Sequence, residues 1–313
     1  MINRFIRYWN QNRKKILITI LIVTFAILLI KTINYILGQQ TPEITNSVNT
    51  LIEDSSIPTE SVITGQTLHT ETTNINMDII KKFINFCNSG NYEDAYGLLS
   101  NACKEEVFRT VDEFKLNYYD EIFDTEKTYE LELWYSNSGD YTYRIIYYEN
   151  NILSTGQINS SENVEDYITV VREDGNIKVN INGFISKEVI NESVTRPEVE
   201  INVNERLSYR SYEIYSVTVK NNTDKDIKIS DENNSNDICL VDNNQTEYDS
   251  VINEIPTIDL HINPYSSKTI NIKFNKMYGE YRKIEQMLFK NIMLNIDENG
   301  TGNTSKIDLS IRI

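Results

Sequence analysis

Apolar residues run without a charge from Ile16 to Ile30, and the run continues to Leu37 across a single lysine, Lys31. As a helix, residues 16–37 reach about 33 Å, enough to cross a hydrocarbon core of about 30 Å. The pattern predicts a transmembrane helix, with Lys31 snorkelling to the interface. Residues 38–75 then show no sustained period. They are rich in Thr, Ser, Asn and Glu and contain Pro42, Pro58 and Gly65, a composition that predicts a flexible linker.

From residue 76 the period becomes helical. Ile79, Ile80, Phe83, Ile84 and Cys87 share one face of a helix over Met77–Asn88, which Ser89-Gly90-Asn91 stops. Tyr92–Leu99 predicts a short second helix. A third is expected between Cys103 and Phe123, either whole or broken near Thr110, on Val111, Phe114, Tyr118 and Ile122. The period then falls to two. Tyr129, Leu131, Leu133 and Tyr135 alternate with Glu130, Glu132 and Trp134, and Tyr141–Tyr148 returns after a turn at Asn137-Ser138-Gly139-Asp140. Val164–Arg172 and Asn176–Asn182 form a last hairpin around Asp174-Gly175. Residues 76–192 thus predict three helices followed by a bent antiparallel sheet, an α+β pattern.

Residues 197–313 hold no convincing helical period. Tyr215, Val217 and Val219 alternate with Ser216, Thr218 and Lys220, and Asn221-Asn222-Thr223-Asp224 turns the chain. Ile270, Ile272 and Phe274 alternate after the Asn263–Lys268 turn, with further strands over Leu288–Ile296 and Ile307–Ile313. Short strands with turns between them predict a β-sandwich.

Charge adds an orientation. Residues 1–15 carry Arg4, Arg7, Arg13, Lys14 and Lys15 and no acid, while the linker up to Asn74 carries no Lys or Arg. This asymmetry predicts a cytoplasmic basic tail, an uncleaved single-pass anchor and an extracytoplasmic bulk at the cell membrane. The formal net charge is −16, and the six cations of residues 1–37 leave −22 beyond them. Such a surface repels nucleic acid, which is excluded as a partner.

The run Phe86-Cys87-Asn88-Ser89-Gly90-Asn91-Tyr92-Glu93-Asp94-Ala95-Tyr96-Gly97-Leu98-Leu99 resembles the first helix junction of nuclear-transport-factor-2-like extracytoplasmic domains. The Glu173–Val179 hairpin is similar to their last one. The resemblance implies a cone of helices on a curved sheet over residues 76–192. The Val217-x-Val219-x-Asn221-x-Thr223 run and the Pro264–Phe274 strand resemble bacterial immunoglobulin-like domains over residues 197–313.

Candidate chemistry is sparse. Some proteins with the cone use Asp and His inside it, yet no histidine lies between Met77 and Glu192. Glu130 and Glu132 alternate with apolar neighbours and read as solvated, facing Arg144. Tyr118, Trp134 and Tyr143 are the candidates to line a ligand-binding mouth, but an ordinary packed core or rim is the preferred reading of these aromatics. Cys87 and Cys103 bracket the second helix, and a bridge there would contribute about 3 kcal/mol. Two buried free thiols are the alternative, and Cys239 is left over. Asp231, Asn233, Ser235, Asp237 and Asp242 have calcium-loop spacing, but Asn236 stands where glycine is needed, so a polar loop is expected. Neither His69 nor His261 has a nucleophile partner. No cofactor or metal is expected. The function expected is a non-enzymatic, membrane-anchored scaffold or adaptor of the bacterial cell envelope, in the manner of conjugation assemblies. Its partners would be other membrane or envelope proteins, and the bilayer through Ile16–Leu37. The alternative is a ligand-binding or sensing module that uses the cone mouth.

Overall fold

A computed structural model describes residues 57–137, 139–149, 163–231, 234–276, 282–296 and 305–313. The first element is helix α1, Thr70–Asn88, which turns Met77, Ile80, Phe83, Ile84 and Cys87 inward. Gly90 ends it at φ +77°, where a side chain would be strained, and its N–H donates to Cys87 O. Three short helices follow: α2 (Tyr92–Gly97), α3 (Asn101–Glu106) and α4 (Val111–Phe114). A π-helical turn, Lys115–Tyr119, leads into α5 (Asp120–Ile122). Ser100 caps α3 by accepting from Cys103 N–H, and Thr110 caps α4 by accepting from Glu113 N–H.

Strands β1 (Lys127–Asn137), β2 (Asp140–Glu149), β3 (Val164–Glu173) and β4 (Asn176–Asn180) form an antiparallel sheet in that order. α1, α3, α4 and this sheet enclose the first core, where Phe83, Phe108, Phe114 and Tyr118 pack ring against ring. A second core lies between two other sheets. One contains, in spatial order, β12 (Ser267–Asn275), β7 (Tyr212–Asn221), β6 (Val199–Tyr209) and β5 (Phe184–Thr195). The other runs β10 (Glu247–Asp249), β9 (Ile238–Asp242), β13 (Ile284–Ile296), β8 (Asp226–Lys228), β11 (His261–Ile262), with β14 (Ser305–Arg312) paired to β13.

The β5–β6 hairpin belongs to both cores. Phe184, Leu207 and Tyr209 pack in the first, whereas Ile190, Val194, Val199, Ile201 and Val203 pack in the second. The apolar residues of β6 all stand at odd positions, so unbroken alternation would put them on one face. A β-bulge between Val203 and Glu205 shifts the pairing by one residue. Beyond it Leu207 and Tyr209 face the first core, and Arg206 and Ser208 take the opposite side. The boundary expected at 192–197 therefore falls inside a continuous ribbon, and the described residues belong to one compact unit.

Several expectations are corrected. The α+β class, with its transmembrane helix and three-helix nuclear-transport-factor-2-like cone, is overturned: strands account for 51% of the structure. The third helix is broken because Ser100 and Thr110 each start a new turn, so the pieces after α1 have at most six residues. The single-pass, extracytoplasmic membrane placement is corrected too. Among the described residues no helix is long and apolar enough to cross a membrane. The stretch Ile16–Leu37 and the basic tail lie outside the described residues. The linker expectation fails at its far end. Val62 and Ile63 N–H donate to Leu133 and Trp134 carbonyls on the free edge of β1, Ser61 Oγ also donates to Trp134 O, and α1 already begins at Thr70.

Candidate functional site

The three aromatic candidates are separated. Tyr143 is 0% exposed, and its hydroxyl accepts from Asn76 Nδ2 at 3.0 Å. Tyr118 is 2% exposed and donates to Asp166 Oδ2 at 2.8 Å. Both fill the first core, which closes the expected mouth. Trp134 is half-buried, stands edge-on to Tyr167 at 5.8 Å, and lines a cavity elsewhere.

The other candidates are structural. Cys87 and Cys103 are buried free thiols rather than a bridge, and Cys239 is free and buried as well. Burial pushes the Cys103 thiol up to about 12 and the other two upward as well, away from the nucleophilic thiolate. Glu132 faces Arg144 across the β1–β2 pair, and Glu130 accepts from Tyr148. In the acidic loop, Asp237 accepts from Asp231 N–H, Asn234 Nδ2 and Asn291 Nδ2. Asp242 accepts from the N–H groups of Asn244 and Thr246 and from the Tyr248 hydroxyl. These carboxylates tie down turns. Asn233 lies outside the described residues. His69 precedes α1 without a capping bond from its side chain, and His261 sits in β11.

The feature that remains is a cleft of about 570 Å³ where the two cores meet. Its walls come from the 57–69 segment (Ile63), β1 (Trp134), β3 (Tyr167), the near halves of β5 and β6, the start of β7 and the start of β13. Six Lys and Arg side chains line it against three carboxylates, Asp140, Glu188 and Glu213. Carboxylates just outside the lining balance these cations: Lys187 pairs with Glu105, Glu106 and Glu205, and Arg210 with Glu165.

β7 explains how charge reaches this depth. Tyr215, Val217 and Val219 face the second core, and Glu213 continues the same phase at the strand's open end. Its carboxylate is 4% exposed and meets Arg282, 1% exposed, at 3.0 Å. Lys276 approaches the other oxygen at 3.8 Å. Arg282 also donates to Asn275 O and stacks its guanidinium over the Tyr248 ring at 4.5 Å. Arg206 lies directly across from Tyr215 and pairs with Glu188. Burial raises the Tyr215 phenol above its ordinary value, so it stays protonated.

Some donors in this cluster stay unused. Arg206 Nε and Arg282 Nε are buried without a hydrogen-bond partner among the described residues, while the Tyr215 hydroxyl is coupled to the Arg206 side chain. Each such group costs about 1–3 kcal/mol of desolvation, more where the group is charged. The rim is tied instead: Arg210 reaches Glu165 at 3.3 Å and lies over the Tyr167 ring at 4.4 Å.

The sequence reading missed Arg206, Glu213, Tyr215 and Arg282 as a cluster. Glu213 was detectable, because extending the Tyr215–Val219 alternation back by one step puts a carboxylate on the buried face. Arg282 follows a stretch with neither period, so it gave no signal.

No family model and no curated protein matches the chain. A conserved hypothetical protein from Bacillus anthracis shares 15% identity over 32% of this chain and 95% of its own, with a TM-score of 0.23. A functionally unknown protein from Listeria monocytogenes EGD-e shares 10% identity over 41% of this chain and 84% of its own, with a TM-score of 0.29. Neither likeness is close enough to transfer a fold.

Proposed function

We propose that this chain is a non-enzymatic binding module, an adaptor that holds its partner in the cleft between its two cores. The observation that carries this reading is the shared β5–β6 ribbon. One hairpin packs into both cores and also supplies cleft wall from Ile185 to Arg210. The walls are therefore set by folding, which lowers the ordering cost of binding. The polar side chains of the cleft suit holding rather than turnover. Its arginines are fixed by ion pairs, its phenol stays protonated, and the chain's three thiols are buried.

The test is site-specific photo-crosslinking of the full chain in its native cells. A benzophenone amino acid replaces Ile190 or Ile284 in the cleft, with exposed Leu116 as the control position. The expected result is a discrete adduct from both cleft positions and none from Leu116. Identical adducts from all three positions, or none from the cleft, would reject the reading.

A further inference from the structure

We infer that the outer edge of β1 at residues 129–131 accepts an extended segment of a partner protein, one that sets a lysine or arginine between two apolar residues. These residues line no part of the cleft, so the inference goes beyond the binding-module reading and stands apart from it.

The strand's own hydrogen bonds locate the opening. β1 is the end strand of its sheet and pairs with β2 on one side. Its outward backbone groups are fixed at two points. Lys127 N–H donates to Asn88 Oδ1, and the Lys127 carbonyl accepts from Asn88 Nδ2. Farther along, Leu133 O accepts from Val62 N–H and Trp134 O from Ile63 N–H. In an antiparallel strand the outward groups recur at every second residue. Tyr129 and Leu131 therefore also point their N–H and C=O groups outward, and no hydrogen bond meets these groups among the described residues. The Val62 and Ile63 bonds show that this edge takes up added chain. Asn88 at one end and Val62 at the other bound the part left open.

The side chains around the opening select the occupant. Tyr129 and Leu131 are half-buried against the first core, so partner residues opposite them meet apolar surface. Glu130 stands on the other face. It is exposed, accepts from the Tyr148 hydroxyl and has no ion pair among the described residues. Glu132 beside it shares Arg144 with Glu165, which lies closer to that cation, at 2.7 Å against 3.5 Å. A lysine or arginine opposite Glu130 completes a cross-strand charge pair. A second copy of this chain, paired about the same residue, would set Glu130 against its own mate, which opposes self-association. The chain's own residues 38–56 carry Glu43, Glu53 and Asp54 and no Lys or Arg, so they lack the matching charge. In an added strand the main-chain bonds give affinity and the alternate side chains give specificity.

The test is amide hydrogen exchange of the full chain, read by mass spectrometry, with acetyl-Thr-Val-Lys-Val-Thr-amide as the probe. The peptide should protect the Tyr129 and Leu131 amides, and protection titrated against peptide gives the affinity. A Val-Gln-Val version should bind about two- to fivefold more weakly, the span of an exposed ion pair. In Glu130→Lys a Val-Glu-Val version should bind more tightly than the Val-Lys-Val one, and circular dichroism establishes that this variant folds. A version N-methylated on both valines cannot donate to the Tyr129 and Leu131 carbonyls and should not bind. Protection present before peptide is added and lost on deleting residues 1–56 would give the edge to the chain's own N-terminal segment. Protection that grows with protein concentration alone would give it to a second copy. Either result overturns the inference. So does equal binding of the N-methylated peptide, an unchanged charge preference in folded Glu130→Lys, or no protection at millimolar peptide.

Discussion

The Tyr118 hydroxyl donates a 2.8 Å hydrogen bond to Asp166 Oδ2, joining the π-helical turn to strand β3 inside the first core. The same carboxylate accepts the N–H groups of Asn182 and Gly183, the two positive-φ residues that turn β4 into β5. One buried side chain thus fixes a helix and a hairpin at once. Tyr118→Phe removes the phenol donor and leaves the carboxylate less satisfied. We expect a loss of about 1.5–3 kcal/mol in urea unfolding, the range for hydrogen bonds to charged groups. A loss under a few tenths of that would show that the backbone donors suffice.

Burial raises the Asp166 pKa above its ordinary value, with the hydrogen bonds opposing. A carboxyl raised in the folded state binds more protons there than in the unfolded chain. Its penalty is full above the folded pKa, shrinks as pH falls through that value, and vanishes below the unfolded pKa. The stability of the wild type relative to Asp166→Asn should therefore increase on acidification from neutral pH. A wild-type stability that falls relative to the variant on acidification would mean that the hydrogen bonds outweigh burial.

Glu213 and Arg282 form a buried ion pair at 3.0 Å. Glu213→Leu should cost about 3–5 kcal/mol, because it strands a cation away from water. The double variant Glu213→Leu/Arg282→Met should recover most of that loss by replacing both charges with apolar volume. A double-mutant cycle that is simply additive would show that the pair is not coupled.

Thiol titration separates the two readings of the cysteines. All three are buried and free, so a thiol reagent should label none in the native protein and all three after denaturation without reductant. Only one reactive thiol in the denatured chain would restore the Cys87–Cys103 bridge.

Deleting Asn204 tests the bulge in β6. Removal makes the pairing regular and leaves its register unchanged, so Leu207 and Tyr209 keep facing the first core and Arg206 keeps the opposite side. The variant should therefore reach the native state, judged by near-ultraviolet circular dichroism. Loss of the native spectrum would show that the bend made by the bulge is itself needed for one ribbon to serve both cores.

Local pattern made a good part of this architecture readable. Strands β1 to β4 lie within a few residues of the expected alternations, and Asp174-Gly175 turns β3 into β4 with both φ values positive, as that dipeptide favours. The face of α1 that carries Ile80, Phe83, Ile84 and Cys87 is the buried one. What pattern could not carry was pairing at a distance. The odd-numbered apolar residues of β6 look like one face, and only the bulge assigns them to two. Pattern alone left Tyr118 and Tyr143 between a packed core and a mouth, because a hydroxyl is compatible with either water or a buried partner. Their acceptor and donor, Asp166 and Asn76, lie 48 and 67 residues away in the chain. The cleft itself depends on six separate stretches meeting, and no one of them is distinctive alone.

The hairpin shared by the two cores has a consequence for how this protein fails. Neither half can melt by itself, since either loss strips one side of the same pair of strands and exposes oily residues the other half cannot cover. Heating should thus produce a single sigmoidal step, and damage at a remote end would be felt throughout the molecule.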